Sequence, residues 1–402
     1  MELSERIANI QPSATLAFSN RAKEMAAQGI DVLNLAVGQP DFKTPSHIGQ
    51  AAIKAIEEHE ADSYTAATGI LPLRKAIANH INEQHGTDFG ARDVVVTNGG
   101  KFALYAVTQA LLNPGDEALI PLPYWVSYGE QIKLAGAKPV LAHPSQGLKV
   151  TVEDLEAVYT PQTKLLVLNT PNNPSGEVFT KDELTAIANW AVDHDLVILA
   201  DDMYGDLVYN GTEFTSVLDL GEDVVNHTVL VNGFSKSYAM TGWRVGYAVA
   251  PSNVAAALGT YLGQVSGNMA AVSQYAALTA LTDPRGKEEV ERMRQAYEER
   301  LNTITSLIND LPGVSVTKGA GAFYLFPDVS EAVELTGFQS TDEFVNGVLE
   351  EAHVSIVPGK AFGLDGHVRL SYATDLATLQ EAIKRIGDFI KRPDLHLKCN
   401  SR

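Results

Sequence analysis

Lys236 lies in the stretch VNGFSKSYAMTGWRVGY, residues 231–247. A lysine amine can condense with an aldehyde to form a Schiff base. Small residues, Gly233 and Ser235, crowd close to it. Arg244 follows eight positions later, and its permanent charge suits a phosphate. Gly242 and Gly246 let the backbone approach something bulky.

Five further clusters could work with that amine. Asp201 and Tyr204 sit in ADDMY, residues 200–204, where the apolar run LVILAD ends. Asn173 is an amide donor in NTPNNPSGEVF (169–179), stiffened by flanking prolines. TNGGKFALY (97–105) runs from strand to helix through Gly99, Gly100 and Lys101. Free backbone N–H groups at a helix start make an anion site. That loop is neither a Walker A motif nor GxGxxG, so nucleotide binding is not supported. Trp125, in PLPYWVSY (121–128), could stack on a planar ring. Arg369, in HVRLSYA (367–373), is a cation inside an apolar strand and needs a carboxylate, supplied by an internal acid or by a ligand. Each cluster alone also fits ordinary structure: an acidic turn, a proline loop, an interface aromatic.

The elements that must position them alternate. Helix-period patterns at 47–59, 71–84 and 101–112 are interleaved with short Val/Ile/Leu runs at 93–99, 117–121, 163–169, 196–201, 228–233 and 244–250. In the first helix Ala51, Ala52, Ile53 and Ile56 mark the apolar side. Continuous apolar strands between helices predict a mostly parallel sheet covered on both faces. After about residue 285 the texture changes. A long charged helix pattern at 287–309, with Met293, Leu301 and Leu307 among its apolar positions, precedes short strands in 321–327, 353–359 and 367–373. The expected architecture is α/β: a large domain over 46–285 and a smaller α+β domain built from 1–45 and 286–402.

Bulk composition narrows the function. A chain of 402 residues with 45% hydrophobic and 20% charged residues can bury a large core. A net charge of −19 argues against nucleic-acid or anionic-membrane partners. It leaves room for a small anionic substrate in a local basic pocket. The single cysteine, Cys399, allows no intrachain disulfide and no thiolate metal site. The ten histidines show no ligand spacing, and His80 and His85 read as surface residues. There is no signal pattern and no apolar run long enough to span a membrane, so a cytoplasmic enzyme is the default.

Taken together, the blocks SYTAATG, GGK, PYWVSY, NNPSG and GFSKSYAMTGWRVG resemble those of class I aminotransferases, the fold-type I pyridoxal 5'-phosphate (PLP) enzymes, from about Pro12 to Arg369 and beyond. The branch they look most like is the bacterial aspartate aminotransferases. A PLP enzyme needs an amine, an acid facing the pyridine nitrogen, donors to the phenolate oxygen, a phosphate cup and a stacking aromatic. The resemblance implies Lys236 as Schiff-base lysine and proton shuttle, and Asp201 on the pyridine nitrogen. It puts Asn173 and Tyr204 on the phenolate oxygen. Ser235 and Arg244 would hold the phosphate, with Gly99, Gly100 and Lys101 at the cup and Trp125 on the ring. Arg369 would grip the substrate α-carboxylate, with Gly38 of LAVGQPDF against the substrate. Tyr64 would reach the site of a neighbouring subunit, which implies a homodimer with shared sites. Amino acids and 2-oxo acids are the implied substrates, aspartate and 2-oxoglutarate foremost, with Lys101 reading the distal carboxylate. Gln11 stands where this branch often has a basic residue, which weakens strict dicarboxylate specificity. The alternatives are an aminotransferase for aromatic or other neutral amino acids, a carbon–sulfur β-lyase, or a ligand-sensing regulator on the same fold.

Overall fold

The computed structural model describes residues 3–392. Cys399 lies outside the described residues. A short β1 (Leu33–Asn34) precedes seven strands: β2 (Val94–Thr97), β3 (Glu117–Pro121), β4 (Lys138–Ala142), β5 (Thr163–Asn169), β6 (Val197–Asp201), β7 (Thr228–Gly233) and β8 (Gly246–Val249). These seven form one sheet in the order β2-β8-β7-β6-β5-β3-β4. Every neighbouring pair is parallel except the two made by β8.

Alternation along the strands explains why helices cover both faces. Val94, Val96, Leu166, Leu168, Ile198 and Ala200 enter one apolar cluster. Val95, Leu165, Val167, Leu199, Val229 and Val231 enter another on the opposite face. Successive side chains point to opposite sides of a strand, so a continuous apolar run demands cover on both.

A third cluster gathers β9 (Tyr324–Leu325), β10 (Val354–Ser355), β12 (Val368–Ser371), the helix Pro284–Asn309 and the helix Leu376–Ile390. β11 (Val357–Pro358) pairs with β12, which pairs with β9. The N-terminal segment joins this part, because β1 pairs in parallel with β10. Arg300 also holds Asp41 through both terminal nitrogens at 2.8 Å.

Three expectations need correction. Ile53 and Ile56 of the helix Ser46–Glu57 are exposed, while His47, Ile48, Ala52 and Ala55 face inward. The helix packs against Ala271–Thr282 along that small-residue face, which apolarity counting does not single out. His80 and His85 are half-buried and not fully exposed at the surface. His85 Nδ1 lies 2.8 Å from Asp219 Oδ1 with its side chain 10% exposed, and both histidines line a cavity with Asp202. Burial pushes the His80 pKa down. The edge strand β4 was not expected, because Lys138 and Pro139 break its apolar signal; the edge position tolerates both.

Candidate active site

In an open sheet of this kind, ligands settle beyond the carboxyl ends of the strands. Here β2 delivers Gly99, Gly100 and Lys101 to that edge, β3 delivers Trp125, β5 Asn173, β6 Asp201 and Tyr204, and β7 Ser235 and Lys236. β8 runs the other way, so its entry brings Arg244 back to the same edge. Eleven of the thirteen residues singled out in the sequence, from Gly38 to Arg369, line one cavity of about 400 Å³. Gly99 adjoins it behind Arg244, and Tyr64, 97% exposed, does not line it.

Close backbone packing builds the anion end. Gly99 has φ of 87°, and a Cβ there would stand 2.5 Å from Arg244 Nη2. At Gly246 a Cβ would overlap the Gly100 nitrogen, where the helix Gly100–Leu111 starts. Arg244 donates to the carbonyl oxygens of Thr241 (2.9 Å) and Asn98 (3.3 Å). Its left-handed backbone, φ 56°, turns the chain from the Lys236 loop into β8. A cationic fork, the Ser235 hydroxyl and a helix N-terminus thus converge where a phosphate would fit.

Asp201 is 5% exposed. It accepts a hydrogen bond from Tyr128 Oη at 2.6 Å and one from the Met203 N–H at 3.2 Å. Burial pushes its carboxyl up to about 6, against the pull of those donors and of Lys236. A buried acid in that state is relieved by a cationic ring nitrogen placed opposite. Asn169, at the end of β5, braces both sides: its amide donates to the Asp201 carbonyl and its Oδ1 accepts from the Asn173 N–H, each at 2.9 Å.

Lys236 points its amine at the Gly38 carbonyl, 2.5 Å away. It lies 5.9 Å from the Tyr204 ring centre and 5.5 Å from that of Phe323. Its pKa falls to about 7, chiefly through burial, then through the charges of Arg369 and Arg244. That is the range in which an amine can both take and return a proton near neutrality.

Arg369 is 2% exposed and has no carboxylate partner among the described residues. It donates to Asn173 Oδ1 (3.1 Å) and to the Ala36 carbonyl (2.6 Å), and its buried Nε bonds nothing among the described residues. Its guanidinium lies over the rings of Tyr324 (4.6 Å) and Phe362 (4.9 Å). Of the two partners the sequence left open, the internal acid is absent among the described residues. An uncompensated buried charge with a free donor is a built receptor for a carboxylate. Lys101 Nζ stands over the Trp125 ring at 4.8 Å; although the residue is exposed, partial withdrawal of its amine from water and the Arg244 charge lower its pKa. The cavity therefore holds four cationic side chains and one acid, inside a chain of net charge −19.

Sequence reading missed Tyr128, Asn169 and Tyr324. Tyr128 stands one helical turn after Trp125 in PYWVSY, so its motif was visible but its direction was not. Among the described residues no cluster of three or more His, Cys, Asp or Glu is arranged to hold a metal. No described helix is long and apolar enough to cross a membrane.

Comparison with known proteins agrees with this geometry. The family model for aminotransferase class I and II matches residues 30–386. An asparagine–oxo-acid transaminase of Streptococcus mutans is 47% identical over 97% of this chain and 100% of its own length. An aspartate aminotransferase of Geobacillus stearothermophilus is 43% identical, covering 97% of this chain and 99% of its own. Among solved structures, the aspartate aminotransferase from Thermus thermophilus with maleate superposes with a TM-score of 0.91 at 37% identity, covering 97% of this chain and all of that one.

Proposed function

The chain belongs to the class I and II aminotransferases, and from that premise we propose that it moves the amino group of L-aspartate to 2-oxoglutarate with PLP as cofactor. The observation that carries the reading is Arg369, a buried guanidinium whose Nε has no partner among the described residues, beside an amine poised near neutrality. An α-carboxylate fits the first, and the α-proton next to it faces the second.

The residues fit the cofactor. Arg244, Ser235 and the helix start at Gly100 would hold its phosphate, Asp201 its ring nitrogen, Asn173 and Tyr204 its phenolic oxygen, and Trp125 its ring face. When bound, PLP supplies an electron sink for the pair left behind when the Cα–H bond breaks. The protein does the rest. Arg369 and Lys101 clamp the two ends of a dicarboxylate. Lys236, neutral for part of the time at pH 7, takes the α-proton and returns it one position away. Tyr128 holds the Asp201 carboxylate in place.

The proposal extends to a homodimer with shared sites. Lys101 and Arg244 are exposed in the single chain while the opposite wall of the cavity is buried, and Tyr64 projects into solvent. It also extends to two domains, 46–285 against 1–45 with 286–402, supported by the separate apolar clusters and the β1–β10 pairing. A cytoplasmic setting and the absence of nucleic-acid or membrane partners belong to the same reading.

Asparagine is the second reading. It is favoured by the Streptococcus mutans relative and by the surroundings of Lys101, which work against its charge. One experiment separates these readings. The PLP-loaded protein is mixed with aspartate, asparagine, tyrosine, alanine or cysteine while its visible absorption is followed, and 2-oxoglutarate is then added. Fast bleaching by aspartate, reversed by 2-oxoglutarate, is the expected result. In Lys101→Ala the KM for aspartate should rise about 10- to 100-fold, the worth of one hydrogen bond to a charged group, with alanine little changed. Bleaching by asparagine or tyrosine in preference would move the substrate. Pyruvate released from cysteine without a 2-oxo acid would replace transamination with β-elimination.

A further inference from the structure

Tyr324 has no role in the reading above, yet it touches three groups that do. It is 1% exposed and sits on β9, in the apolar cluster that also contains β12 and not in those that cover the central sheet. Its hydroxyl lies 2.9 Å from the Tyr204 hydroxyl. Its ring lies under the Arg369 guanidinium at 4.6 Å. The Gly38 backbone closes over it so tightly that a Cβ there would overlap the Tyr324 oxygen.

In a pair of hydroxyls one donates and the other accepts. The more acidic partner is the better donor. Burial raises both hydroxyls, but the Arg369 guanidinium lies on the Tyr324 ring and offsets part of the rise there, while Tyr204 is pushed up further by burial and by Tyr324. The position of Arg369 favours Tyr324 as the donor of the pair. Once Tyr204 accepts from Tyr324, its own hydrogen has to point elsewhere, and Tyr204 lines the cavity together with Lys236 and Asp201. Accepting a hydrogen bond also strengthens the one a hydroxyl gives.

We propose that Tyr324 is a positioning residue for the transamination chemistry: it donates to Tyr204 and so commits the Tyr204 hydrogen to the cofactor's phenolic oxygen. The inference rests on the PLP reading. It predicts that Tyr324 sets the electron density of the bound cofactor through Tyr204.

The test is an absorption titration of the PLP-loaded protein as wild type, Tyr324→Phe, Tyr204→Phe and the double variant. Weaker donation leaves the phenolic oxygen more basic, so the pH midpoint of the visible band should rise. In Tyr324→Phe we expect a rise of about half a unit or more, consistent with the loss of one neutral hydrogen bond. The double variant should match Tyr204→Phe alone, because Tyr324 acts through Tyr204. Incorporating 3-fluorotyrosine at position 324 keeps the ring and strengthens the donor, so the midpoint should fall. It also covers the case in which Tyr324→Phe folds poorly. An unchanged midpoint in both position-324 variants, or additive shifts in the double variant, would overturn the proposal. Wild-type protein that takes up PLP and transaminates while those shifts are absent leaves the functional reading standing. Wild-type protein that takes up no PLP sinks both.

Discussion

At the scale of single residues, burial sets the charge states on which the site depends. Asp201 is raised to about 6 from an unfolded value near 3.8, so between those pH values the folded chain binds the extra proton and stability falls as pH rises. Lys236 is lowered to about 7 from 10.5, so between 7 and 10.5 the unfolded chain binds the extra proton and stability rises with pH. The cofactor-free protein is thus least favoured by this pair between about pH 6 and 7. Asp201→Asn removes the acid's share of that penalty. Its cofactor-free form should melt a few degrees above wild type at pH 7 and lose that advantage at pH 4, while its transamination falls by orders of magnitude. A melt that is lower at both pH values would show that Asp201 is held by its hydrogen bonds more than it is strained by burial. The type and place of Asp201 and Lys236 were legible in the sequence. Their ionisation was not, because it depends on residues remote in the chain: Tyr128 lies 73 positions from Asp201, and Arg369 comes from β12.

At the scale of elements, strand ends place chemistry and glycines set the distances. Each parallel strand except β4 at the edge delivers at least one residue to the cavity or to the glycine loop beside it, and the reversed β8 returns Arg244 to it. The glycines of the Lys236 segment matter unequally. A Cβ at Gly242 would meet nothing within 4 Å, whereas at Gly246 it would overlap the backbone nitrogen that starts the anion-binding helix. Gly246→Ala should therefore push that helix off β8 and raise the PLP dissociation rate about tenfold or more, with Gly242→Ala near wild type as control. Equal, small effects from both would remove the cup from the argument. From the sequence both glycines looked alike, since close approach is a property of the neighbour and not of the glycine.

At the scale of the whole molecule, the cavity is deep on the Arg369 side and open on the Arg244 side. A shared site predicts a specific complementation. Lys236→Ala subunits lack the amine and Tyr64→Ala subunits lack the residue lent to the partner. In a mixed dimer one site carries both defects and the other carries neither. Mixing equal amounts of the two inactive variants, then allowing subunits to exchange, should restore activity to about a quarter of all sites. No recovery, with exchange verified, would confine each site to one chain.

The sequence by itself determined the α/β alternation, most strand positions to within a residue or two, and the residue types that carry the chemistry. All of these are local: an apolar run, a glycine loop, a lysine between small residues. Tertiary structure decided which side of the Ser46–Glu57 helix is buried, that His80 and His85 turn inward, and that Arg369 has no acid of its own among the described residues. It also brought Tyr128 to Asp201 and Tyr324 to Tyr204. Those are pairings between segments far apart in the chain, and a hydrogen bond of under 3 Å is fixed only when both strands, and the cores beneath them, are in place.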